Sequence, residues 1–290
     1  MLGGAPDTPT IGDPRAQRSS QYRGRVPELL DPAASSGAPL GPAAADPLPR
    51  STALRWVGLA MVGFLLAEVL GVALLSLVAA LKGFSSGEAT RLAQAATPPE
   101  WVIVSLLTGQ WLAFLGAPYL ATRLGPVRHR LGLAFRRTDL LGVPIGVAAQ
   151  IVVLLAYLPF RAHLHHFDAP AQRLTGGSSG AGFVLIAALT ILGAPFAEEV
   201  FFRGLLLRGL TGLSTGLWGR RRTWALAAAA VADGLLFGLA HGEWVQLPGL
   251  AAFGVLLALL TMRTGRLGTS IVAHCSFNAL AIISIAVVGG

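Results

Sequence analysis

From residue 51 onward the chain alternates long apolar runs with short polar ones, and neither a period of 2 nor a clean amphipathic period of 3.6 dominates. The apolar runs cover about residues 53–81, 101–121, 141–160, 181–207, 223–241, 246–262 and 268–288. Crossing a hydrocarbon layer of about 30 Å takes about 20 helical residues, so each run is long enough to span or nearly so. Backbone in lipid must satisfy its own hydrogen bonds, which leaves helices as the form for such runs. The expected fold class is therefore all-α, a polytopic transmembrane helix bundle of about seven to eight spans, the eighth arising if the longest run breaks.

Residues 1–50 differ in kind. They hold nine of the 18 prolines, with many Ala, Gly, Ser and Asp, and follow no helical or strand period. This reads as a disordered cytoplasmic tail ahead of a transmembrane domain at 51–290. No apolar run follows the start, so no signal peptide is expected.

Composition sharpens the picture. Hydrophobic residues make up 53% and charged residues 12% of the 290. Soluble domains average about 25% charged, so a soluble enzyme, a disordered scaffold and a collagen-like rod are all disfavoured. The net charge of +8 does not point to nucleic acid, because the basic residues fall between apolar runs instead of on a folded basic face. Arg15, Arg18, Arg23, Arg25, Arg50 and Arg55 precede the first run; Arg123, Arg128, Arg130, Arg136 and Arg137 follow the second. Arg208 and Arg220–Arg222 follow the fourth, and Arg263 and Arg266 lie between the last two. Alternate loops are poorer in Arg. Seven spans with the N-terminus in the cytoplasm place every Arg-rich loop inside, in what the Arg, Ala and Gly usage suggests is a bacterial plasma membrane. The lone cysteine, Cys275, excludes an intrachain disulfide and a cysteine-based zinc site.

Ionisable residues within such runs are expensive, and each asks for a reason. The fourth run carries Glu198, Glu199 and Arg203. Glu199 and Arg203 are four apart and share a helix face, which suits an ion pair; Glu198 points about 100° away. This assigns Glu199 and Arg203 to positioning and Glu198 to chemistry. The fifth run ends Phe237 to His241, again four apart, with Asp233 on the same stripe; Asp233 is expected to be an extra structural acid paired with an Arg. The last run carries His274 and Asn278 at the same spacing. Each feature alone is equally well a buried polar lock between helices. Together they suit peptide-bond hydrolysis: Glu198 with His241 to polarise a water, and His274 with Asn278 to donate to the oxyanion. The same four side chains are also a conceivable ligand set for a divalent metal such as zinc. The absence of a His-Glu-x-x-His sequence weighs against that rival.

Glu-Glu-x-x-x-Arg, Phe-x-x-x-His and His-x-x-x-Asn, in this order on successive membrane helices, resemble the CPBP family. It comprises the CAAX prenyl endopeptidases of Rce1 type and the bacterial Abi-related proteins of bacteriocin processing and immunity. Arg263-Thr264-Gly265 also resembles the family's turn before its last motif. The resemblance covers about residues 180–285. It implies an intramembrane endopeptidase with Glu198, His241, His274 and Asn278 as catalytic residues, supported by Glu199, Arg203 and Phe237, and no required cofactor. It implies a membrane-embedded peptide or protein as substrate, with the lipid bilayer as surroundings. A non-catalytic immunity or scaffold protein, or a proton-coupled transporter, is the alternative; a transporter would be expected to carry inverted repeats, which are not evident.

Three smaller expectations follow. His163, His165, His166 and Asp168 read as a solvated loop and not a metal site. Glu68 and Gln150 are expected to face the bundle and meet polar partners. Straight helices place His241 at the outer end of its span and His274 about 9 Å from the inner end of its own. Their convergence therefore asks for a tilted or deeper fifth span, or for re-entry of 242–248.

Overall fold

The computed structural model describes residues 3–4, 48–124, 131–160 and 178–288. The bundle lies within the unit Pro42–Gly290. The histidine cluster at 163–168 and nearly all of residues 1–47 fall outside the described residues.

Eight helices and no strand occur among the described residues: α1 (Arg50–Leu81), α2 (Ser86–Ala93), α3 (Glu100–Leu124), α4 (Gly142–Tyr157), α5 (Ala181–Gly212), α6 (Gly219–Leu239), α7 (Leu247–Thr264) and α8 (Gly268–Val288). A 3₁₀ turn, Arg137–Leu141, leads into α4. Six helical stretches are long and apolar enough to cross a membrane, and α8 adds a shorter apolar one over Gly268–Ser284. The protein is thus a multi-pass membrane protein.

The exposed surface agrees with that reading. On α1 the buried positions Ala53, Trp56, Ala60, Gly63, Ala67, Gly71, Leu75 and Ala79 recur every three or four residues. Most are small, which lets α3 approach closely. The opposite face exposes Leu54, Val62, Leu65, Val69, Val72 and Leu77. A soluble helix would be polar there; an apolar outer face is what lipid demands.

Helix α5 is the hub and touches α1, α3, α6, α7 and α8. Around it α1 pairs with α3, α6 with α7, and α4 with α8. Helix α5 is not regular. It widens to π-helix at Leu189–Gly193 and again at Phe202–Leu206. Helices α6 and α7 cross where Gly234 faces Gly254. A Cβ on Gly254 would lie 2.8 Å from the Gly234 Cα, so only glycine permits this approach.

Helix α2 was not anticipated. Ser85 and Glu88 form a reciprocal capping box at its start, and this pair is the signal for it in the sequence. Hydrogen bonds from Ser85 hold the Glu88 carboxyl below its usual range.

Candidate active site

The site is assembled on the stretch of α5 between its two π segments, where Glu198 and Glu199 lie, and on the second π segment, which carries Arg203. Glu199 and Arg203 are both fully buried, and Arg203 Nη1 donates to Glu199 Oε1 at 2.8 Å. The guanidinium has further anchors. Its Nη2 donates to the Gly254 carbonyl at 2.9 Å, and its Nε lies 3.3 Å from Asp233 Oδ2, which is also fully buried. The Phe237 ring stacks beneath it, 4.5 Å from the guanidinium carbon. Arg203 therefore ties α5 to both α6 and α7 through one planar group, the geometry to which arginine is suited and lysine is not. Asp233 is paired with an arginine, as its position suggested. The Gly254 contact had no signal in the sequence, because any residue presents a carbonyl.

His274, on α8, is 2% exposed. Its Nδ1 lies 3.0 Å from Glu199 Oε1. A carboxylate that already accepts from Arg203 can only accept again, so Nδ1 carries the proton. That turns Nε2 toward Glu198, whose Oε2 is 3.7 Å away. At this distance the two do not hydrogen bond directly. Glu198 Oε2 has no hydrogen-bond partner among the described residues, and 16% of the side chain is exposed. Glu199 is thus enclosed and engaged through Oε1, with its Oε2 unpartnered among the described residues, while Glu198 is partly exposed although its Oε2 is buried.

His241 lies just beyond the end of α6, in the turn to α7, and is exposed. Its Nδ1 lies 2.8 Å from the Phe237 carbonyl. A carbonyl only accepts, so Nδ1 is the donor and Nε2 of the neutral ring keeps its lone pair. The Phe237 ring stands between the two histidines, its centroid 4.8 Å from that of His241 and 5.4 Å from that of His274. The two imidazoles thus share one aromatic neighbour, and no hydrogen bond joins them among the described residues. Residues 240–246 pass through turns into α7, with Gly242 at φ 65°. Tyr157 straps this turn to α4: its hydroxyl donates to the Val245 carbonyl at 2.9 Å and accepts from the Gly249 N–H at 3.1 Å.

Asn278 lies one turn beyond His274 on α8 and is bound to α5, where Nδ2 donates to the Thr190 carbonyl at 2.9 Å. The backbone explains why. In the first π segment the Ala194 N–H bonds back to Leu189. The next residue, Pro195, has no N–H to offer Thr190. Asn278 supplies the missing donor and retains a second amide hydrogen.

Asp139 anchors the other end of α8. It is fully buried and accepts from Arg266 Nη1 at 2.6 Å and from Thr269 Oγ1 at 2.7 Å. Gly265 ends α7 in the left-handed conformation at φ 66°, which fixes the Arg263-Thr264-Gly265 turn just before these contacts.

Residues 180–280 match a family model described as Rce1-like, type II CAAX prenyl endopeptidase. This region is similar to that family. The match supports the CPBP, Rce1-type resemblance drawn from the three motifs, and the family is one of intramembrane endopeptidases. No curated protein and no solved structure matches the chain. Within the Rce1-like region the structure gathers Glu198, Glu199, Arg203, Asp233, Phe237 and His274. His241 touches the Phe237 ring and Asn278 binds the backbone of α5, but among the described residues neither makes a hydrogen bond to Glu198 or His274. Among the described residues no three His, Cys, Asp or Glu side chains converge as a ligand set for a zinc-like ion.

The polar residues outside the Rce1-like region do not join the site. Glu68 is exposed on α1 instead of facing the bundle, although it does meet a polar partner, Gln110, at 3.1 Å. Its position between the exposed Leu65 and Val69 puts it on the outer face. Gln150 is buried as expected, but its Oε1 lacks a partner among the described residues.

Proposed function

We propose that the protein is an intramembrane endopeptidase that hydrolyses a peptide bond of a membrane-associated peptide or protein by a water activated at Glu198 and His241. The observation that carries this reading is the asymmetry of the two adjacent carboxylates. Glu199 meets Arg203 and His274 through Oε1 and is wholly buried, whereas Glu198 faces the His274 imidazole without a direct hydrogen bond and with its side chain 16% exposed; each carboxylate keeps its Oε2 without a partner among the described residues.

The proposed sequence of events is as follows. A water hydrogen bonded to Glu198 and to the bare Nε2 of His241 loses a proton to Glu198 as its oxygen attacks the scissile carbonyl. A protonated His274 donates with both ring nitrogens, Nδ1 to Glu199 and Nε2 to the oxyanion; the second amide hydrogen of Asn278 is the other donor. As the C–N bond breaks, Glu198 returns its proton to the leaving amine. The Glu199 carboxylate, fixed by Arg203, holds the His274 ring in the required orientation and stabilises its charge, the role a buried acid plays toward histidine in other hydrolases. No step passes through a metal or other cofactor.

The Rce1-like family is one of CAAX prenyl endopeptidases. The bacterial character of the composition favours leader peptides, bacteriocins or short membrane proteins over prenylated tails as substrates. The proposed setting is a bacterial plasma membrane with the N-terminus in the cytoplasm.

Glu198→Gln tests the reading, since it preserves shape and removes the base. Membranes containing either form would be compared by mass spectrometry of newly created protein N-termini. We expect a set of cleavage products in the wild type that falls by about 10²-fold or more in the variant, with an unchanged melting temperature. Identical products from both proteins would eliminate the peptidase and leave a non-catalytic membrane protein.

A further inference from the structure

A cleft of about 670 Å³ opens at the end of the bundle where α5 and α7 finish and α1 and α6 begin. It is separate from the proposed catalytic residues: Arg208, on its wall, is nine residues, or about 13 Å, along α5 from Glu199. Its volume lies within the range of small-molecule sites, about 300–1,000 Å³. Three properties define what it would accept.

Its depth is apolar. Trp56, Leu207, Leu226 and Met262 contribute to the walls, and Trp56 and Leu207 are almost wholly buried. Its charged lining is of one sign. Arg208 and Arg222 line it, and no carboxylate does among the described residues. The hydroxyls there are already engaged in the fold: Thr215 donates to the Leu48 carbonyl at 3.0 Å and Ser214 to the Thr211 carbonyl at 2.6 Å. Its mouth lies at the membrane–water boundary. Trp218, which lines it, is 84% exposed, and Trp224 is 66% exposed one turn into α6. Between them stand Arg220, Arg221 and Arg222, all exposed. Indole rings beside arginines mark headgroup depth.

We propose that this cleft binds an anionic phospholipid of the bilayer, with its phosphate held by Arg208 and Arg222 and an acyl chain laid into the apolar depth. The combination excludes simpler occupants. A neutral detergent-like chain has no use for the two guanidinium groups, and a free phosphate has no use for the apolar walls. Guanidinium groups bind phosphate oxygens in a fork geometry, and basic recesses between membrane helices are suited to acidic headgroups. Because Leu207 and Arg208 directly follow the second π segment of α5, the lipid would also brace the helix that carries Glu198 and Glu199.

Native mass spectrometry of the full-length protein, equilibrated with equal amounts of phosphatidylglycerol and phosphatidylcholine, tests the proposal. Wild type should retain phosphatidylglycerol at least five-fold over phosphatidylcholine. Arg222→Glu, at an exposed position that should not disturb folding, should abolish that preference. Arg220→Glu and Arg221→Glu, equally exposed but outside the cleft lining, should keep it. Inorganic phosphate or glycerophosphoglycerol at the same concentration should not displace the lipid, since neither has a chain. Equal retention of the two lipids would overturn the proposal. So would an equal loss in all three arginine variants, which would reduce the effect to surface potential, or displacement by the soluble headgroup.

Discussion

At the scale of single residues, the strongest constraint is the burial of Arg203. One guanidinium answers Glu199, Asp233 and the Gly254 carbonyl, and all three side chains are fully enclosed. Such an assembly is not itself proof of stability, because taking charges out of water is expensive. Removing one member is another matter, since it strands the others. Arg203→Met should lower the unfolding free energy by about 3–5 kcal/mol, measured by denaturation from mild detergent into sodium dodecyl sulfate. Arg203→Lys should recover only part of it, because an ammonium cannot serve three directions from one plane. If the methionine variant were as stable as the wild type, the cluster would be ornamental. The sequence made Glu199–Arg203 legible, because a spacing of four within one helix needs no tertiary knowledge. It also distinguished Glu198 from Glu199 by angle alone. It could not show that His274 is held by Glu199, a partner 75 residues away in the chain.

At the scale of elements, the interruptions of α5 matter more than its length. Helix boundaries were largely legible, since apolar runs bounded by arginines leave little freedom: 181–207 was expected and Ala181–Gly212 is found. The π segments were not, because widening by one residue per turn leaves hydropathy unchanged. Pro195 was the available clue. It removes the donor that a π turn would offer to Thr190, and Asn278 fills the vacancy from α8. This dependence has a testable form. Asn278→Ala should destabilise the protein by about 1–3 kcal/mol, the cost of leaving a buried carbonyl unmet. In a Pro195→Ala background, residue 195 regains an N–H, and the same substitution should cost less. A double-mutant cycle in the same denaturation assay measures the difference. A coupling energy indistinguishable from zero would show that Asn278 and Pro195 act independently, and that the lock between α5 and α8 has another origin.

At the scale of the whole molecule, α6 sets the position of the protein in the membrane. Its 21 residues, Gly219–Leu239, extend about 31 Å, close to the thickness of the hydrocarbon layer. Tryptophans stand just beyond each end: Trp218 is 84% exposed and Trp244 is 77% exposed. The ends differ in charge. Arg220, Arg221 and Arg222 adjoin Trp218, while the turn 240–246 holds Glu243 and no basic residue but His241. Under the proposed cytoplasmic N-terminus, retention of arginine on that side would orient the helix with Trp218 inside and Trp244 outside. That orientation would put the proposed anionic-lipid cleft on the cytoplasmic face and His241 toward the opposite one, and a substrate of the proposed peptidase would reach Glu198 from within the membrane or from outside. The sole native thiol, Cys275, is only partly buried, so Cys275→Ser provides the background for mapping by single cysteines. In that background Trp244→Cys should react with a membrane-impermeant maleimide in intact cells. Trp218→Cys should react only in inside-out vesicles. The reverse pattern would invert the protein, place the arginine-rich end outside, and leave the charge distribution along the chain without its membrane explanation.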